Sequence, residues 1–162
     1  MVSGAAGLYV HWPWCARKCP YCDFNSRALP AADVESAYVA ALEADLAHAA
    51  RDLGDRPVAT VCVGGSTPSL MSPAGFGRLM AAVARRVRIE AGAEVTMEAN
   101  PGTVDAARLA SYAASGVNRF SIGVQSLDAG MLARLGRIHT PDEARAAVEA
   151  ALEAAPAVTA DM

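Results

Sequence analysis

The sequence has little positive charge and no long apolar run. Its 14 Lys and Arg residues are outnumbered by 17 Asp and Glu residues, for a net charge of −3, so it lacks the basic excess typical of nucleic-acid-binding proteins. No apolar stretch reaches the roughly 18 residues that a transmembrane helix needs, which leaves only peripheral membrane contact open. Residues 1–7 lack the basic and apolar segments of a secretory signal. We therefore expect a cytoplasmic protein with no nucleic-acid partner and no transmembrane segment.

Cysteine is also scarce, and its distribution argues against a disulfide scaffold. Of four cysteines, three are crowded together at Cys15, Cys19 and Cys22, whereas Cys62 stands alone. Disulfide frameworks are typical of small secreted domains, so the clustering here indicates metal or redox chemistry. Cys62 lies in the continuous apolar run Val58–Val63, and we interpret it as a small hydrophobic residue of the core.

The overall composition of the sequence is that of a folded domain. Hydrophobic residues make up 53% of the 162 positions and charged residues 19%, which argues against intrinsic disorder. Apolar or β-branched runs predict strands at 7–11, 58–63, 94–99, 119–124 and 157–162. Amphipathic segments predict helices at 34–53, 73–87, 104–115 and 129–135, and after the capping box Thr140–Glu143. This βα repeat predicts a parallel sheet with right-handed crossovers, either doubly wound or curled into a barrel.

The predicted fifth strand is the last element of the sequence. No helix follows it to cover its face. We therefore interpret residues 1–162 as the N-terminal portion of one core domain, truncated in or after the fifth strand, with a C-terminal domain that is absent from this chain.

Polar residues and glycines follow the ends of the predicted strands. In parallel βα folds, reactive residues lie on the loops at the carboxyl ends of strands. The positions concerned are His11 with the three clustered cysteines, the loop 64–68, Glu98 with Asn100, Gln125 with Ser126, and Asp161. The sequence therefore predicts a ligand site at this edge of the sheet.

The spacing Cys15-x3-Cys19-x2-Cys22 is the most specific signal in the chain. Thiolates are soft ligands that suit zinc, copper(I) or iron–sulfur clusters. One interpretation is a zinc site completed by His11 or Cys62. The other is a four-iron cluster, in which three cysteines leave one iron open to another ligand.

Several ordered motifs resemble one family. They are Tyr9–Phe24 around the cysteines, Gly64–Ser69, Glu98–Pro101, Gly123–Ser126 and Leu135–His139. Together they resemble the radical S-adenosylmethionine (SAM) proteins, and more narrowly the group around oxygen-independent coproporphyrinogen III oxidase. The resemblance covers nearly the whole chain and implies part of a (β/α)6 radical SAM barrel.

The resemblance also implies site residues. Three cysteines would hold a [4Fe-4S] cluster: Cys15, Cys19 and Cys22. Nine positions would contact SAM: Tyr9 and Tyr21 beside the cluster, Gly65, Ser66 and Thr67 along the methionine moiety, Glu98 and Arg137 at its ammonium and carboxylate, and Gln125 and Asp161 at the ribose. The family usually has glycine where this chain has Ser66. A positive φ at that position would cost serine roughly 1–2 kcal/mol.

Within this group, Phe24 favours the heme-chaperone branch, because the oxidase usually has a fourth cysteine at that position. The implied function is delivery of heme to an acceptor protein, with heme as a further ligand and a reductase as electron donor. The alternative is radical oxidative decarboxylation of porphyrinogen propionates, so enzymatic activity stays open and no catalytic residue is assigned. His139 is either a heme ligand or a structural residue, and Arg17 and Lys18 either attract anionic groups or are solvated.

Overall fold

The computed structural model describes residues 4–30 and 33–162; the first three residues of the segment assessed for a secretory signal lie outside it. In chain order the elements are β1 (Ala6–Trp12), β2 (Trp14–Cys15), β3 (Arg27–Ala28), α1 (Glu35–Leu53), β4 (Val58–Gly65), α2 (Pro73–Arg86), β5 (Ile89–Ala99), α3 (Ala106–Ala114), β6 (Arg119–Gly123), α4 (Ala129–Arg134), α5 (Pro141–Ala154) and β7 (Ala157–Asp161). In this described part, no helix is long and apolar enough to cross a bilayer.

The main sheet has five parallel strands in the order β1-β4-β5-β6-β7. This order follows the chain without reversal. A doubly wound sheet would reverse its strand order at a switch point, so the arrangement is that of a barrel wall, with crossovers of one hand placing the helices on one face. The predicted parallel βα fold is confirmed as part of a barrel.

Helix starts follow the predicted capping chemistry. Ser72 caps α2 by accepting a hydrogen bond from the Gly75 amide, and Thr140 and Glu143 form the capping box of α5. Helix α3 begins at Ala106, two residues later than predicted, because the Asp105 side chain caps it by accepting from the Arg108 amide. Three of the predicted helix starts are therefore explained by local side chains.

The two faces of the sheet differ in polarity. Side chains alternate along a strand, so one set packs under the helices and includes Val61, Val63, Met97, Phe120 and Ile122, all almost fully buried. The alternate set lies on the opposite, concave face and includes Cys62, Thr96, Glu98, Ser121 and Asp161. The concave face is therefore polar.

The interpretation of Cys62 as a core residue is wrong. Cys62 lies on the concave face, in register between Tyr9 of β1 and Thr96 of β5, and is only part-buried. Burial, followed by the nearby Glu98 and Glu94 carboxylates, raises the pKa of its thiol. The apolar run had suggested a strand covered on both faces, but one face of β4 lies on the polar, concave side of the sheet.

Candidate functional site

The three clustered cysteines lie on one closed loop, residues 14–28, here called the cysteine loop. Its ends pair as the short parallel strands β2 and β3, which sequence patterns did not predict. The Leu29 amide donates to the Cys15 carbonyl at 2.9 Å. The segment after β4 is attached to the loop, because the Thr67 amide donates to the Trp14 carbonyl at 3.1 Å, and to the end of β1, because the Ser66 amide donates to the Trp12 carbonyl at 2.8 Å. The cysteines are thus held beside the glycine-rich loop.

All three cysteines of this loop are free thiols. Cys15 is buried, whereas Cys19 and Cys22 are part-exposed. Within residues 4–30 and 33–162, no three His, Cys, Asp or Glu side chains converge on a point where one metal ion would sit. An iron–sulfur cluster binds each thiolate through a different iron, so its sulfur ligands need no such convergence. Three soft donors on one loop fit a cluster better than a single zinc ion.

His11 does not complete a zinc site in this structure. Its Nε2 lies 3.1 Å from the Asn25 carbonyl in the cysteine loop, and its Nδ1 lies 3.0 Å from the Tyr9 hydroxyl. Both ring nitrogens are therefore engaged by the protein. The contact with Asn25 makes His11 a residue that holds the cysteine loop.

A cavity of about 330 Å³ opens between the cysteine loop and the strand ends. Seven of the nine positions predicted to contact SAM line it: Tyr21, Ser66, Thr67, Glu98, Gln125, Arg137 and Asp161. Asn100, predicted with Glu98 at the end of its strand, also lines it, as do Phe24 and Ser121, which were not predicted. Ser121 could have been found from the alternation of β6, since it shares a face with Gly123; its hydroxyl donates to Asp161 Oδ2 at 3.0 Å.

The other two predicted positions lie outside the cavity lining. Tyr9 is 57% exposed on β1, and it borders a separate groove with Tyr38 and Leu42. Gly65 lies behind the lining, where its amide donates to Glu98 Oε2 at 3.0 Å. The structure therefore brings Gly65 to the site through Glu98, whereas Tyr9 lies on the concave face in register with Cys62, outside the cavity lining.

Two adjacent glycines allow close side-chain packing behind the cavity, Gly64 against Glu98 and Gly65 against His11. A Cβ at Gly64 would come within 2.9 Å of Glu98 Oε1. A Cβ at Gly65 would come within 2.6 Å of the His11 ring, and Gly65 has a φ of +114°. Among the described residues, Gln125 is the only non-glycine with positive φ. The strain that a positive φ would impose on Ser66 is therefore absent, because the positive φ of this loop belongs to Gly65.

The cavity holds charges of both signs. Burial raises the pKa of the half-buried Glu98, the Gly65 amide opposes this rise, and Asp161 adds to it. On the wall, Arg137 donates through Nη2 to the Gly123 carbonyl at 2.7 Å. Its Nε is buried and has no hydrogen-bond partner in the described structure. A guanidinium and two carboxylates that line the same cavity suit a zwitterionic ligand such as an amino acid moiety.

Gln125 has a strained backbone beside this cavity. Its φ of +65° is uncommon for a residue with a side chain. Two contacts hold the turn: the Gln125 amide donates to the Asp161 carbonyl at 2.7 Å, and Nε2 of the buried His139 lies 3.0 Å from the Val124 carbonyl. The second His139 nitrogen lies 3.3 Å from Asn100 Oδ1. Of the two interpretations of His139, heme ligand or structural residue, these contacts therefore agree with the structural role.

Replacement of Gly136 tests how tightly the cysteine loop packs against the turn between α4 and α5. Gly136 has a φ of +70°, and a Cβ there would come within 2.9 Å of Pro20 Cδ. Gly92 has a similar φ of +78° with nothing within 4 Å. We expect Gly136→Ala to lower the free energy of unfolding by about 1 kcal/mol more than Gly92→Ala, because both incur the backbone penalty but only one also overpacks. Urea unfolding of both variants measures the difference, and equal losses would contradict the packing.

Comparison with known proteins identifies the family of the chain. A family model described as the radical SAM superfamily matches residues 9–162. The chain is 50% identical over 144 residues to the heme chaperone HemW of Escherichia coli, covering 89% of this chain and 38% of that protein. It is 42% identical over 148 residues to HemW of Haemophilus influenzae, covering 89% and 39%. The chain thus spans under two-fifths of the length of these relatives.

A solved structure shows the same fold. Coproporphyrinogen III oxidase, HemN, from Escherichia coli, described as a radical SAM enzyme, superimposes with a TM-score of 0.87 at 27% identity, over 95% of this chain and 36% of the oxidase. Together with the match of the family model over residues 9–162, this likeness shows that the chain belongs to the radical SAM superfamily.

Proposed function

We propose that Cys15, Cys19 and Cys22 hold a [4Fe-4S] cluster and that the adjoining cavity binds SAM. Membership of the superfamily implies both groups. When bound, the cluster supplies one-electron reduction of SAM, the hard chemistry that a cofactor brings to its protein. The protein's own part is to bind and orient the two groups side by side.

The observation that carries the proposal is the composition of one cavity wall. Seven of the predicted SAM-contacting residues line it, and it adjoins the cysteine loop through Tyr21. Glu98 would accept from the ammonium group of SAM and Arg137 would donate to its carboxylate, as charge-assisted hydrogen bonds. Asp161 and Gln125 would bind the ribose hydroxyls.

We further propose that the protein acts in heme metabolism as a heme chaperone. Two HemW proteins share 50% and 42% of aligned residues with this chain, and Phe24 stands where the oxidase usually has a cysteine. Heme, a heme-acceptor protein and an electron-donating reductase would be its partners. Clustered free thiols suit a reducing cytoplasm. In this proposal, residues 1–162 form the N-terminal portion of the core domain.

A second candidate function is coproporphyrinogen oxidation. The observation in its favour is the superposition on HemN, with a TM-score of 0.87. The likeness in fold extends over the whole sheet, whereas the position of Phe24 in the cavity wall distinguishes this chain from the oxidase pattern.

One experiment separates the two functions. The gene product that carries this chain is reconstituted anaerobically with iron and sulfide, then divided. One half is loaded with heme and mixed with an apo-hemoprotein; the other is incubated with coproporphyrinogen III, SAM and a reductant. The chaperone proposal predicts heme transfer without decarboxylated product. Formation of that product would support the oxidase, and failure to bind heme would overturn the chaperone assignment.

A further inference from the structure

The cysteine loop makes specific contacts with a turn that is distant in sequence. Arg17 Nη2 donates to the carbonyls of Gly136, at 2.7 Å, and Arg137, at 3.0 Å. Cys19 Sγ lies 3.8 Å from the same Gly136 carbonyl. Hydrogen bonds from a guanidinium are stronger than those between neutral groups. Arg17 therefore holds two successive carbonyls of the turn, 119 and 120 residues away.

The same turn carries a side chain of the cavity wall. Arg137 lines the cavity, and its Nη2 is held by the Gly123 carbonyl. Its Nη1 lies 4.0 Å from Cys19 Sγ. The guanidinium is thus fixed at its head by β6, while the backbone that bears it is fixed by Arg17. Without Arg17, the turn would keep only local backbone hydrogen bonds, such as that from the Arg137 amide to the Leu132 carbonyl, and the side chain would be held less firmly against the wall.

Arg17 itself is absent from the residues that line the cavity. Its neighbour Lys18 carries the same charge on the same loop but reaches only the Phe24 carbonyl, at 3.5 Å. Lys18 shares the charge of Arg17 but not its contact with the turn. A Lys18 variant therefore tests the effect of the charge alone.

We infer that Arg17 is a positioning residue for the cofactor cavity. By holding the carbonyls of Gly136 and Arg137, it keeps the Arg137 guanidinium where the carboxylate end of SAM would bind. The affinity for SAM then depends on a residue that does not touch SAM. This inference rests on the proposed function, because it takes the cavity to be the SAM site.

The test measures SAM affinity by anaerobic equilibrium dialysis on the reconstituted chain. We expect Arg17→Ala to weaken binding about tenfold, equivalent to about 1.4 kcal/mol. Lys18→Ala should leave binding unchanged, and Arg17→Lys should restore part of the loss. In an Arg137→Ala background, Arg17→Ala should have no further effect, because two residues that act through one contact are not additive.

Iron content and thermal melting are measured on each variant. Three results would each overturn the inference. They are an unchanged SAM affinity in Arg17→Ala, an equal loss of affinity in Lys18→Ala, and the same tenfold loss when Arg17→Ala is made in the Arg137→Ala background. Loss of iron in Arg17→Ala would also overturn it, because Arg17 would then serve the cysteines. Failure of the unaltered chain to bind SAM would instead refute the proposed function, and with it the premise of this inference.

Discussion

Replacing Cys19 by serine is expected to remove nearly all bound iron and the broad visible absorption of the reconstituted protein. Cys19 is one of three thiols on a loop that is closed by β2 and β3 and held against Gly136. A serine hydroxyl is a poor substitute for a soft thiolate ligand. With two thiolates left, the cluster loses a required ligand. Iron and sulfide analysis after anaerobic reconstitution measures the loss.

Cys62→Ser is the matched control for this prediction. Cys62 lies on the concave face beside Tyr9 and Thr96, in the middle of β4, and burial raises the pKa of its thiol. A raised pKa disfavours the thiolate that a metal needs. We expect Cys62→Ser to keep its iron. Equal loss of iron from both variants would make Cys62 a ligand and contradict the three-cysteine site.

Glu98→Gln is expected to weaken SAM binding roughly 30-fold or more. Glu98 is half-buried and would face the ammonium group of SAM. Removal of one partner from a buried charged pair typically costs about 2–5 kcal/mol, and each 1.4 kcal/mol is about a factor of ten. An alternative role, as a cap of the following turn, does not agree with the structure, because Asn100 provides that cap through its side chain. Calorimetric titration of SAM measures the change.

The control for this variant is Glu94→Gln, on the same strand and the same face. Glu94 is exposed, and hydrogen bonds from Thr96 and then Arg119 hold the pKa of its carboxyl below the usual range. It does not line the cavity. We expect Glu94→Gln to bind SAM as the unaltered chain does. Equal weakening in both variants would show a general charge effect rather than a contact at Glu98.

The Glu98→Gln substitution is expected to raise thermal stability although it weakens SAM binding. Because burial raises its folded pKa above the ordinary value of 4.5, the folded state holds this proton more tightly than the unfolded state. The stabilisation from that proton is full below the unfolded pKa and is lost as pH rises through the folded pKa. At neutral pH, Glu98→Gln without SAM should therefore melt higher than the unaltered chain. A lower melting temperature would contradict the burial argument.

Much of the fold could be predicted from local signals. Ser72, Pro73 and the Thr140–Glu143 pair specify helix starts through their own side chains, and the structure keeps all of them. The strands were also predicted from local runs of residues. Strand β5, however, begins at Ile89 rather than at the predicted Glu94, and its register with β4 shifts between these two residues. Such features are encoded within a few residues of sequence.

The remaining features depend on contacts between distant residues. In Val58–Val63, the run of apolar residues obscures the face that Cys62 occupies, although Thr60, two residues earlier on the same face, marks that face as polar. The glycine-rich loop could not show that Gly65, and not the next position, has positive φ. The contact of Arg17 with Gly136 spans 119 positions. Sequence patterns carry no signal for the last two features, which only the folded chain shows.

In the proposed site, one cavity places SAM beside the cluster of the cysteine loop. The most direct test is electron paramagnetic resonance of the reduced, reconstituted protein during titration with SAM. We expect a saturable change in the cluster spectrum, because SAM would ligate the open iron, and we expect Glu98→Gln to shift this titration to higher SAM concentration. A spectrum that stays unchanged by SAM in protein with full iron content would contradict the proposed site.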